Sequence, residues 1–124
     1  GLITSFHYAV SHDSEINKRF VAAAEKAIGA PDLVSFPAVG AYDGMFVISK
    51  MIAATAGKQD AEKAVEAVKG LGWESPRGPV KIDPETRHIT QTIYLREVAK
   101  DAQGRWINKE IASVPEQKDS GLTK

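Results

Sequence analysis

Few side chains of this sequence can do chemistry near neutral pH, and each has a structural use. Three histidines, His7, His12 and His88, could bind a metal or carry a proton. His7 and His12 fall across a strand end and a helix start, a spacing that does not converge on an ion, so no metal site is expected. Asp83 and Glu85, within Ile82-Asp83-Pro84-Glu85-Thr86-Arg87, imitate a catalytic carboxylate pair. Asp before Pro opens a turn, however, and nothing apolar surrounds the pair to raise a pKa. Ser5, Ser11, Ser14, Ser35 and Ser49 lack a Gly-x-Ser-x-Gly setting, and Gly70-Leu71-Gly72 follows a helix instead of preceding one, with no Lys-Ser or Lys-Thr to complete a phosphate loop. Cysteine is absent, which excludes disulfides, thiol catalysis and thiolate metal centres. None of these patterns marks a catalytic residue, and no cofactor is expected.

The aromatic residues carry more information. Phe6, Tyr8, Phe36, Tyr42 and Phe46 flank the junctions between elements. Two uses fit them: core packing, or the wall of a cleft, since aromatic rings beside a Pro-shaped backbone make a rigid surface for a small ligand. Charge narrows the partners. Sixteen basic and sixteen acidic residues cancel, and the basic ones are interleaved with acids, so no nucleic-acid interface is expected. No apolar run approaches the roughly 20 residues that span a bilayer. A chain of 124 residues with 43% hydrophobic content has enough for one core.

The elements that must position these residues follow from periodicity. Residues 2–8 set Leu2, Thr4, Phe6 and Tyr8 against Ile3, Ser5 and His7, which predicts a strand. Gly1 to Phe6 begins without Met and reads as strand from its second residue, the pattern expected of a chain that starts inside an element. Asp13 and Ser14 cap a predicted helix with Ile16, Phe20, Val21, Ala24, Ala27 and Ile28 on one face and Gly29 as its stop. Residues 30–40, with Pro31 and Pro37, predict a buried extended connector. A second helix is predicted from Ala41 to Ala56, and a third, capped by Asp60 and closed by Gly70-Leu71-Gly72, with Ala61, Ala64, Val65, Val68 and Leu71 inward. Beyond residue 72 the period changes: a turn-rich link at 73–79, a short strand at 80–82, and a hairpin of 89–98 with 105–114 closed by Gly104. The opening strand has only the terminal hairpin to pair with, and three amphipathic helices need a sheet face that this chain barely supplies.

Four stretches bear a resemblance: Asn17-Lys18-Arg19-Phe20-Val21, Ala41-Tyr42-Asp43-Gly44-Met45, Trp73 to Arg87 with its Glu74-Ser75-Pro76-Arg77-Gly78-Pro79 core, and Gln91 to Val98. Together they resemble the C-terminal third of a type I periplasmic solute-binding protein of the leucine/isoleucine/valine-binding family. The resemblance implies an incomplete Rossmann-like α/β two-lobe fold, present here as a strand, three helices and a C-terminal hairpin. It implies residues 1–8 and 89–114 as parts of the second lobe, 13–82 as part of the first, and 115–124 as a frayed tail. It also implies the function of such receptors: a periplasmic component of an ABC importer that holds a small solute, such as a branched-chain amino acid or an aromatic carboxylate, and presents it to a membrane permease. The resemblance implies binding and no enzyme activity; the same fold serving as the ligand-sensing domain of a receptor or regulator is the alternative, and a small independent enzyme or α+β interaction module is the third reading. The ligand-side positions implied are His7 and Tyr8 at the strand-to-hinge step, Phe36, Pro37 and Ala38 before the Ala-Tyr-Asp helix, and Tyr42 at that helix's start, which equally fits simple packing. Helix faces built for a parent sheet lead to the expectation that the isolated chain self-associates.

Overall fold

The computed structural model describes residues 1–29 and 33–119 and orders them as β1 (Ile3–Phe6), α1 (Glu15–Ile28), α2 (Phe36–Thr55), α3 (Ala61–Val68), β2 (Gly72–Ser75), β3 (Gly78–Ile82), β4 (Ile89–Lys100) and β5 (Trp106–Gln117). Local chemistry fixes the helix ends. Ser14 accepts a hydrogen bond from the Asn17 backbone N–H at the start of α1, and Gly29, at φ 71°, ends it. Asp60 accepts from the Lys63 N–H to start α3. The helix α2 begins at Phe36, five residues before the expected Ala41, so Phe36 to Gly40 are helical and not an extended connector. Pro37 falls in the first turn, where its missing N–H has no intrahelical partner to lose. Pro31 lies outside the described residues.

The strands form one antiparallel sheet around β4, whose two edges are used differently. β5 follows one edge from Gln91 to Lys100. The other edge is divided: Ile3 to Phe6 pair with Glu97 to Tyr94, and Val80 to Ile82 pair with Gln91 to Ile89. β1 and β3 therefore lie end to end and in the same direction, like one strand cut between Phe6 and Gly78. The chain leaves that edge, builds α1, α2, α3 and β2, and returns to the place it left.

Residues 73–79 are not a loose link, as expected, but a tight hairpin in which Ser75 pairs with Gly78 across Pro76 and Arg77. Gly78 has φ 92°, and a Cβ there would collide with the Tyr94 hydroxyl. The strand β5 also runs past the expected end at Val114 to Gln117. Pro115 is tolerated because β5 is an edge strand with no neighbour beyond it among the described residues. Lys118 then reaches the Asp83 carboxylate at 2.8 Å, so the expected tail is tied down as far as residue 118, and residues 120–124 lie outside the description.

One core cluster forms from Tyr8, Phe20, Val34 and Val39, with Val21, Ala24 and Ala38 against it. Other apolar faces stay open. Met45, Ile48 and Ile52 share a stripe of α2 that is 45–63% exposed. No described helix is long and apolar enough to cross a membrane.

Replacing Gly78 by Ala combines a left-handed φ with the collision at Tyr94, and should cost at least about 2 kcal/mol in chemical denaturation. Adding Tyr94→Phe removes the colliding oxygen, so the double variant should be less destabilised than the sum of the singles; strict additivity would disprove the contact.

Candidate functional site

Where β1 ends, three rings meet. Phe6 and His7 have centroids 4.3 Å apart, Phe36 stands edge-on to Phe6 at 5.3 Å, and the His7 and Phe36 rings are 6.1 Å apart. β1 supplies Phe6 and His7, and the first turn of α2 supplies Phe36. Phe36 remains half exposed, which leaves an aromatic surface open beside the break between β1 and β3. Next to it is a cavity of about 300 Å³ whose lining includes Phe6, Phe36, Ser35, Arg96 and Asn108.

The electrostatics of the corner are cationic. Burial, followed by the positive charges of Arg77 and Arg96, pulls the His7 pKa below its ordinary value, with Asp43 opposing. His7 is therefore neutral at neutral pH, able to donate or accept a hydrogen bond. The Arg96 guanidinium lies over Phe6 at 5.1 Å and donates to the Tyr8 carbonyl at 2.7 Å.

The expected positions separate on inspection. His7 and Phe36 face the corner together. Tyr8 points inward: it is 3% exposed, and its hydroxyl donates to Asn17 Oδ1 at 3.0 Å. Burial raises its pKa above the ordinary phenol range. Asn17 in turn donates to the carbonyls of Val10 and His12, so the pair holds the loop after β1 onto α1. Tyr8 lines the cavity all the same. Pro37 is exposed in the first turn of α2, and Ala38 packs on the core. Tyr42 stacks edge-on against Phe20 at 5.2 Å, joining α2 to α1.

Sequence reasoning missed the polar network behind the corner. Asp43, on α2 and 5% exposed, accepts from Trp73 Nε1 at 3.0 Å, Ser75 Oγ at 3.0 Å and Arg77 Nε at 2.9 Å. Arg77 also donates to Gln91 Oε1, and its own carbonyl accepts from Tyr94 Oη at 2.8 Å. One carboxylate thus fastens the β2–β3 hairpin to α2, and Arg77 carries the linkage on to β4. The available signal was Asp43 one turn beyond buried Val39, a carboxylate on an inward helix face that demands partners. Beside it, His12 Nδ1 meets Glu110 of β5 at 3.0 Å, and its ring lies 5.1 Å from Tyr94. Among the described residues no group of three or more His, Asp or Glu side chains converges to hold a metal.

A family model described as a periplasmic binding protein domain matches residues 1–118. The Leu/Ile/Val-binding protein homolog 6 of Brucella abortus (strain 2308) is 67% identical over 122 residues, which are 98% of this chain and 31% of that protein. A solute binding protein of an ABC transporter from Rhodopseudomonas palustris HaA2, solved with p-hydroxybenzoic acid, is 54% identical with a TM-score of 0.95, over 99% of this chain and 33% of that one. Its counterpart from Rhodopseudomonas palustris BisB5, in complex with 3,4-dihydroxybenzoic acid, is 45% identical with a TM-score of 0.90, over the same shares. The chain spans about a third of the length of these relatives.

Asp43→Ala strands the Arg77 charge at a site where that side chain is 11% exposed, and should cost about 3–5 kcal/mol in denaturation. Emission from Trp73 should shift to the red as its indole N–H loses its acceptor, with Trp106, already 70% exposed, contributing a constant background. A cost below about 1 kcal/mol would show that Asp43 does not hold the hairpin.

Proposed function

The chain belongs to the periplasmic binding protein domain family, and we propose that it forms the C-terminal portion of an extracytoplasmic, periplasmic receptor that delivers a small organic solute to an ABC importer. The observation that carries this reading is the divided edge of β4, where the chain departs after Phe6 and returns at Gly78. Departure and return at one place are what a crossing between two lobes requires, with 1–8 and 89–114 in one lobe; because β3 pairs with β4 in the same sheet as β1, the expected bound of the other lobe, 13–82, moves back to about 77. The three-ring corner sits at that crossing. A solute resting on Phe6, His7 and Phe36 would be enclosed when the lobes close over it, and its greater affinity for the closed form drives the closure that a membrane permease reads.

The corner also favours a class of solute. Aromatic rings against Pro37-shaped backbone, with guanidinium charge behind them, suit a small carboxylate that carries a ring or a branched apolar chain. Relatives solved with hydroxylated benzoic acids support the aromatic choice. Phe6, His7 and Phe36 make the direct contacts, while Tyr8 and Ala38 belong to the core beneath them, Tyr42 joins α2 to α1, and Pro37 stiffens the rim. No covalent step is involved, and the protein acts by binding and not by catalysis.

Calorimetry on the full-length protein, with leucine, benzoate and 4-hydroxybenzoate, should give a dissociation constant in the micromolar range or tighter for at least one. Phe36→Ala should weaken that binding about tenfold through lost ring contact. Absence of binding to all three would overturn the reading.

The 124-residue chain by itself should behave differently. With the stripe of Met45, Ile48 and Ile52 open, it should associate with itself, and it should bind these solutes weakly or not at all. Sedimentation as a clean monomer would count against the first expectation, and micromolar binding by the isolated chain against the second.

A further inference from the structure

We propose that Glu110, acting through His12, is a hinge latch that holds the chain crossings against the sheet and so favours the arrangement in which the ring corner is assembled. The assignment rests on the two-lobe receptor reading above, and adds to it the contact that sets the balance between open and closed forms.

The segment from His7 to Ser14, which leaves the sheet after β1, is gripped from two sides. On the helix side the buried Asn17 of α1 donates to the carbonyls of Val10 and His12 and accepts from the Tyr8 hydroxyl. On the sheet side Arg96 donates to the Tyr8 carbonyl, and Ser11 Oγ donates to the Asn108 carbonyl at 2.8 Å. His12 Nδ1 meets the two Glu110 oxygens at 3.0 and 3.1 Å. A rotation of one lobe on the other strains one grip or the other. The helix-side bonds converge on a single enclosed amide, whereas Ser11 is exposed and the His12 and Glu110 side chains are 15% and 21% exposed. Water can replace the partners of the second set and not those of the first, so the sheet-side bonds are the ones that yield.

His12 also reaches the returning chain. Its ring lies 5.1 Å from that of Tyr94, whose hydroxyl donates to the Arg77 carbonyl at 2.8 Å. Its Nε2 stands 3.8 Å from the place a Cβ on Gly78 would take. One imidazole is thus held by β5 at one nitrogen and set against the returning crossing at the other.

With the latch made, Phe36 of one lobe stands 5.3 Å from Phe6 of the other, and the wall of the corner is complete. A contact that stabilises this arrangement raises the fraction of receptor able to bind, and apparent affinity scales with that fraction. Neither His12 nor Glu110 lines the cavity beside the rings, so the gain is the same for every solute. Glu110 is a positioning residue and not a solute contact.

The test uses the full-length protein with Glu110→Ala and Glu110→Gln. Calorimetry with leucine, benzoate and 4-hydroxybenzoate gives the affinities, and small-angle X-ray scattering gives the shape with and without solute. Glu110→Ala should weaken every solute that the wild type binds by one common factor of about 3 to 10. Without solute this variant should scatter as a more open particle than the wild type, and saturating solute should return both to one radius of gyration. Glu110→Gln still accepts a hydrogen bond from His12 Nδ1 and should fall between the two. Should Glu110→Ala fail to fold, Ser11→Ala removes the neighbouring bond and is required to show the same two effects at smaller size. Unchanged affinity would overturn the latch. A loss that differs by more than about threefold between solutes would overturn it too, marking Glu110 as a solute contact. A common loss with no change of shape in the solute-free protein would reduce the pair to a local support, which also overturns it. Each of these leaves the receptor reading intact, whereas a wild type that binds none of the three solutes would overturn both.

Discussion

The Asp43 carboxylate is the constraint from which most of the architecture follows. A buried acid on an otherwise apolar helix is tolerable only if its lone pairs are filled, and here an indole N–H, a hydroxyl and a guanidinium fill them from a single hairpin. Because those donors stand at 73, 75 and 77, alternate residues on one face of β2 and its turn, the hairpin can dock in one register only. Arg77 then transmits that register to β4 through Gln91 and Tyr94. The helices touch the sheet over a small area, so directional bonds do what broad apolar contact does elsewhere.

That linkage sets the geometry of the ring corner. Phe6 and His7 come from the side of the break that departs, Phe36 from α2, and Gly78 from the side that returns. Space there is so tight that Gly78 has no room for a methyl group beneath the Tyr94 hydroxyl. A corner assembled from three separately anchored segments stays rigid at its base while its upper surface remains open, as a binding wall requires.

Much of the fold was legible in the sequence where the cause is local. Ser14, Gly29 and Asp60 mark helix ends because their bonds span three or four residues, and apolar spacing did the rest. The start of α2 was not legible, since Pro37 beside Phe36 reads as extended until Ser35 is seen as the N-cap. Pro76 and Pro79 likewise obscured β2 and the first two residues of β3, whose expected part at 80–82 is a strand, and Pro79 sits within the paired stretch. At the candidate site, His7 and Phe36 stood out as aromatic groups at junctions. Arg96 did not, and Asp43 showed only as a carboxylate on an inward helix face, because their partners lie 88 and 30 to 34 positions away and no local pattern names those partners.

The divided edge of β4 also governs the order in which the molecule can assemble. Within these residues β1 precedes its partner, residues 94–97, by about 90 positions, and the Arg96 to Tyr8 bond closes a loop of 88 positions. The helices and the β2–β3 hairpin can form from neighbouring residues well before that, whereas the sheet waits for its central strand and must meet the entropy of closing a long loop. Folding should therefore be limited by a late, non-local pairing step. The aromatic corner, which needs β1 seated beside β3, comes into being only at the end of it.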